Sequence, residues 1–157
     1  GRTVQGDFPR YKIYKKELEY IVSNYSFEKT RVLWGLHSFY MTRMHYNSDE
    51  PVIVCEGFKA ALWLRQCGFP HTVAMLGTYL SMEQKVLLTR VANSVVLFLD
   101  NDTAGKEGTN KIEEYYKDVE VRVVDYGTDD PISPDDLTKE QVRKAVATAN
   151  TRAGRRR

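Results

Sequence analysis

At 157 residues the chain is the size of one domain with an appendage, long enough to bury a real core. Its 42% hydrophobic and 28% charged residues exclude a fibrous or disordered protein, and no apolar run approaches the roughly 18–20 residues that a bilayer requires. The net charge of +2 conceals an asymmetry: residues 1–48 hold eight Lys/Arg against four Asp/Glu, residues 49–151 hold eleven against seventeen, and the last six contribute four arginines.

Taken in chain order, residues 1–16 are basic and aromatic without a clean period and lack an apolar signal segment. Leu18 to Tyr25 has the makings of a short helix, and Lys29 to His45 is mixed. The punctuation sharpens after Pro51. Val52-Ile53-Val54-Cys55 reads as a buried strand. Phe58 to Cys67 reads as a helix stopped by Gly68, and Thr72 to Leu76 as a second strand. Ser81 with Gln84 makes a capping box that opens a helix to about Val91. Ser94 to Leu99 is the strongest strand in the chain. A helix from Thr103 to Lys117, a strand from Val119 to Val124, and a helix from Thr138 (capping box with Gln141) to about Thr148 complete the series. Cys55 and Cys67 have no C-x-x-C spacing, which argues against a zinc knuckle or disulfide framework and fits an intracellular setting.

Strands alternating with helices call for an α/β fold: a four-stranded parallel sheet with right-handed crossovers and flanking helices. The expected organisation is a small basic amino-terminal segment over 1–48, the α/β domain over 49–150 and a basic tail over 151–157. In such sheets the ligand site lies beyond the carboxyl ends of the strands. There the sequence places Glu56-Gly57 after the first strand, Asp100-Asn101-Asp102 after the third, and Asp129-Asp130-Pro131 then Asp135-Asp136 after the fourth. A lone carboxylate at such a point is commonly a helix N-cap, and Asp102 suits that role. Several converging carboxylates repel one another unless a cation neutralises them. Hard oxygen ligands on loops suit Mg²⁺ or Mn²⁺. Gly57 and Gly105 leave room for close backbone approach.

Competing motifs fit less well. Gly105-Lys106-Glu107 fails as a phosphate-binding loop, because Glu107 stands where Ser or Thr is needed. Asp100-Asn101-Asp102-Thr103 resembles the D-x-D-x-T signature of haloacid-dehalogenase-type phosphatases, but it follows the third strand rather than the first and leaves Glu56 without a role. Trp34, Tyr40, Trp63 and Phe69 are read as core residues, and His37, His45 and His71 lack metal-ligand spacing.

The Glu-Gly after strand one and the Asp-x-Asp after strand three, with the interval between them, resemble the Toprim domain over residues 52–136. Gly1-Arg2, Pro9-Arg10-Tyr11, Phe27-Glu28-Lys29 and Leu33-Trp34-Gly35-Leu36 resemble segments that accompany Toprim in bacterial-type primases, and extend the likeness to residues 1–136. The resemblance implies that Glu56, Asp100 and Asp102 are catalytic and metal-binding, with Asp130 of Asp130-Pro131 as a further metal-side carboxylate. It also implies that Arg10, Lys29, Gly57 and Lys59 meet nucleotide or nucleic acid. The implied activity is Mg²⁺- or Mn²⁺-dependent synthesis of RNA primers from ribonucleoside triphosphates on single-stranded DNA, with a replicative helicase as a possible partner. The expected piece is the carboxyl-terminal part of a primase core from a phage or plasmid system. Phosphodiester cleavage by the same site, or nucleic-acid binding without turnover, are the alternatives. One departure stands out: where the family commonly has an acidic residue four after the glutamate, this chain has Ala60.

Overall fold

The computed structural model describes residues 28–46, 51–116 and 119–151. Arg10, the helix expected over Leu18–Tyr25 and the arginines of the tail lie outside them. After a single 3₁₀ turn at Lys29–Arg31, the described elements are α1 (Leu36–Tyr46), β1 (Val52–Cys55), α2 (Phe58–Gln66), β2 (Thr72–Ala74), α3 (Met82–Thr89), β3 (Ser94–Leu97), α4 (Thr103–Tyr115), β4 (Glu120–Val123), a 3₁₀ turn at Pro134–Asp136, α5 (Lys139–Ala147) and β5 (Asn150–Thr151). From β1 to α5 every helix and strand begins and ends within two residues of its expected bounds. Both expected capping boxes form, Ser81 with Gln84 on α3 and Thr138 with Gln141 on α5.

The sheet order is β2-β1-β3-β4-β5. The first four strands are parallel, as the alternation requires, and β5 adds an antiparallel pair against β4. A two-residue strand carries no period that the sequence could display. The chain winds outward from β1 to β2, returns over the sheet to β3, and continues to β4. The winding therefore reverses between the neighbours β1 and β3, and the cleft outside their carboxyl ends is the topological switch point.

Alternate residues of the central strands feed two cores, as the pleat dictates. Val52, Val54, Val95 and Leu97 face one side with Phe39 of α1, Leu88 of α3 and Ile112 of α4. Ile53, Cys55, Val96 and Phe98 face the other with Ala61 and Leu64 of α2 and Val142 of α5. Both cysteines are buried and unpaired. Trp34, Trp63 and Phe69 pack against the second core as expected, whereas Tyr40 is 51% exposed, a correction to its reading as core. Among the described residues no helix is long and apolar enough to cross a membrane.

Trp34 and Gly35, from the described part of the basic segment, are tied to this sheet. Trp34 forms an antiparallel bridge with Ala74, donating its N–H to the Ala74 carbonyl at 2.9 Å and accepting in return at 3.0 Å. Arg65 of α2 donates to the carbonyls of Gly35 and Thr72, and its guanidinium lies 5.0 Å from the Trp34 ring centroid.

Candidate active site

Glu56 and Asp100 leave adjacent strands at the switch point, because β1 and β3 pair in parallel with Val54 opposite Leu97. Both are partly buried. The Asp100 backbone N–H points at Glu56 Oε1 across 3.3 Å. α4 then starts directly against them. Asp102 caps it, its Oδ1 accepting from the Gly105 N–H at 2.7 Å. A β-carbon at Gly105 would stand 2.0 Å from the Asp100 carbonyl oxygen and 2.9 Å from Glu56 Oε1. Glycine is thus needed here for close approach, as the sequence suggested. Gly57 has open space above it, so nothing within the described protein demands a glycine there.

The carboxyl-rich loop beyond β4 is stapled to β3 by Asn101. This buried amide donates from Nδ2 to the carbonyls of Thr128 and Asp130 at 2.7 and 2.8 Å, while its backbone N–H donates to Ile132 at 2.9 Å. Trp63 holds the far end, donating from its indole N–H to the Leu137 carbonyl at 2.9 Å. The 3₁₀ turn at Pro134–Asp136 lies between. Asn101 was the unassigned middle of Asp-x-Asp in the sequence; only its type, a short amide with two donors, hinted at a stapling role. Replacing it with alanine removes both bonds, leaving the Asp130 carbonyl only the Ile132 N–H, and should cost about 2 kcal/mol, read by chemical denaturation.

This anchoring decides which carboxylates meet. Asp135 and Asp136 face Asp100 closely enough for their charge to disfavour its ionisation, together with Asp102. Asp130 is exposed, and its carboxylate accepts from the Thr128 hydroxyl at 2.8 Å. Lys59, expected to meet nucleotide, is 2.6 Å from Asp135 and largely exposed. Ala60, at the position where the family commonly carries an acid, is 4% exposed within the second core, so its direction is inward.

Burial is the main reason the Glu56 carboxyl is pushed up to about 7, and the charge of Asp100 adds to it against the opposing hydrogen bond from the Asp100 N–H. Asp100 is raised too, chiefly by burial, with the Ser133 hydroxyl opposing and the neighbouring aspartates adding. The folded protein consequently binds more protons than the unfolded chain between the ordinary 4.5 of Glu56 and about 7. Metal-free stability should fall as pH rises through that window, and Glu56→Gln should flatten the fall, as read by thermal unfolding in chelator.

The donor set fits a divalent cation. It consists of hard carboxylate oxygens, partly desolvated and mutually repelling, whose charge a cation would offset. Among the described residues no three Asp, Glu, His or Cys side chains form a ready-made ligand cage.

A basic group stands just beyond the end of β2. Lys29 Nζ would lie 3.9 Å from a β-carbon on Gly77. Gly77 follows Leu76, whose N–H donates to the Glu56 carbonyl at 2.8 Å.

Comparison with known proteins agrees with this geometry. The Toprim domain family matches residues 50–125. The DNA primase of Synechococcus elongatus is 33% identical over 132 residues, covering 79% of this chain and 18% of that protein. The zinc-binding and RNA polymerase domains of the Aquifex aeolicus primase superpose with a TM-score of 0.65 at 26% identity, over 80% of this chain and 31% of that one. A DnaG primase catalytic domain solved bound to single-stranded DNA gives a TM-score of 0.62 at 28% identity, over 79% and 40% respectively. The chain thus spans about a fifth of the length of the curated relatives it matches. Divalent metals serve Toprim primases in general. Residues 50–125 are a Toprim domain, and the chain belongs with the DnaG-type DNA primases.

Proposed function

We propose that this chain carries the metal-holding half of a primase active site, which joins ribonucleotides into short primers on single-stranded DNA. The observation that carries this reading is the pairing of Glu56 with Asp100 at the switch point, beside Asp102, Asp135 and Asp136. Those carboxylates would hold Mg²⁺ or Mn²⁺, which when bound neutralises triphosphate charge and polarises the reacting oxygens. Asp100 and Glu56 supply the inner negative charge. Asp102 fixes the start of α4 and adds to that charge. Asp130, whose carboxylate orders the loop through Thr128, would add a further metal-side carboxylate. Lys29, with Arg10 and Lys59 as further cations, would meet phosphates of template or nucleotide, and Gly57 leaves its strand end open to them. Catalysis by such a site is mainly positioning and charge neutralisation. The setting is the cytoplasm, with a replicative helicase as the expected partner.

The test incubates the protein with labelled single-stranded DNA, ribonucleoside triphosphates and Mg²⁺ or Mn²⁺, and resolves the products by size. New ribonucleotide oligomers that vanish in Glu56→Gln support the reading. Shortened template would overturn it in favour of a nuclease. Salt-sensitive binding without any product would make the chain a nucleic-acid-binding module.

A further inference from the structure

Gln84 entered as the third helical residue of a capping box, a role that any surface helix could give it. Its surroundings ask more of it. The side chain is 1% exposed, and its amide Nε2 donates to three carbonyls that belong to no part of its own helix: Met75 at 2.7 Å, Val32 at 2.8 Å and Lys29 at 3.0 Å. With two hydrogens for three acceptors, at least one bond is shared. Its Oε1 accepts the Ser81 N–H at 3.0 Å, which fixes the orientation of the amide. Ser81 reinforces the grip, because its hydroxyl donates to the Thr30 carbonyl.

Three features meet at this amide. Met75 is the first residue beyond β2, and its N–H donates to the Cys55 carbonyl at 3.0 Å. Leu76, next in the chain, holds the Glu56 carbonyl and is the one non-glycine residue with positive φ, +62°, among those described. The 3₁₀ turn carrying Lys29 is itself exposed and contributes no fully buried side chain. The turn is therefore anchored largely through its backbone carbonyls, and Gln84 takes two of those in the segment Lys29–Val32.

We propose that Gln84 is a positioning residue for Lys29: it locks the backbone of the basic turn to the end of β2, and so holds the Lys29 ammonium above Gly77 on the rim of the Glu56–Asp100 cleft. The ligand served is a phosphate of single-stranded nucleic acid or of a nucleotide, and this rests on the functional reading above, in which Lys29 meets phosphate. The hold of Gln84 on the turn does not depend on that reading. Gln84→Met keeps the length and volume of the side chain but removes every donor; Ser81→Ala is a milder variant that removes one anchor of the same turn.

Two measurements on the full chain separate the claims. In limited trypsin digestion, wild type should resist cutting after Lys29 and Arg31, Gln84→Met should be cut there several times faster at unchanged circular dichroism, and Ser81→Ala should fall between. Equal resistance of Gln84→Met and wild type overturns the inference whatever the chain binds. In the second, affinity for an oligothymidylate is followed against salt for Gln84→Met, Lys29→Ala and the double variant. Lys29→Ala should lose about tenfold in affinity, the worth of one charge-assisted contact, and flatten the salt slope by about 0.7. Gln84→Met should reproduce both changes, and the double variant should be no worse than either single one. Losses that multiply, or a Gln84→Met slope equal to wild type, overturn the positioning role. A neutral Lys29→Ala in a chain that does bind overturns it at Lys29. A wild-type chain that binds no single strand instead removes the functional reading, and proteolysis alone then decides whether Gln84 holds the turn.

Discussion

Asp100→Asn should abolish primer synthesis, by about a hundredfold or more, and at the same time make the metal-free protein more stable. The two effects share one cause. Asp100 stands partly buried against Glu56 and faces the charges of Asp102, Asp135 and Asp136, so its ionisation is opposed from several sides. Removing that charge relieves the repulsion on Glu56, and it deletes the negative centre that a cation would seek. Thermal unfolding with and without Mn²⁺ makes the check. Wild type should melt lower than the variant in chelator and gain on adding Mn²⁺, whereas the variant should gain little. A variant that melts lower than wild type in chelator would show that Asp100 is held chiefly by structural bonds.

Gly105→Ala should destabilise the fold by about 3 kcal/mol or more, against the normal sign for a glycine inside a helix. At an ordinary helical site the exchange gains up to about 1 kcal/mol. Here the new methyl would sit 2.0 Å from the Asp100 carbonyl oxygen, a backbone atom that can yield only by moving the end of β3 or the start of α4. Either movement also disturbs the cap that Asp102 places on the Gly105 N–H. Gly57→Ala is the matched control, since its β-carbon meets nothing within 4 Å; its stability should change by less than about 0.5 kcal/mol. Denaturant midpoints of the two variants decide the matter.

The parallel sheet was legible in the sequence because its central strands, β1 and β3, are buried on both sides. Val52–Cys55 and Ser94–Leu97 are apolar nearly throughout, and α3 between them carries its own capping box. The placement of Glu56, Asp100 and Asp102 at neighbouring strand ends was legible because they follow those strands directly, where register leaves little freedom. The loop carboxylates were less legible: in a loop, sequence proximity to a motif does not fix direction, and Asp135 and Asp136, on a loop anchored by Asn101 and Trp63, come near enough to Asp100 for their charge to raise it. The three carbonyls gathered by Gln84 were invisible for a similar reason. They lie 9 to 55 residues away, and a capping box specifies only its own helix.

The Trp34 bridge has a consequence for dissecting this protein. β2 is the outermost strand of the sheet on its side, and Trp34 gives its Ala74 both a donor and an acceptor. A fragment beginning at residue 49 would remove that cover together with Leu33 and Phe39 from the first core. The bared edge at Ala74 would then offer an unpaired N–H and carbonyl beside apolar side chains, a template on which a second copy can add a strand. Such a fragment should self-associate, and a soluble monomeric unit has to begin upstream of Trp34.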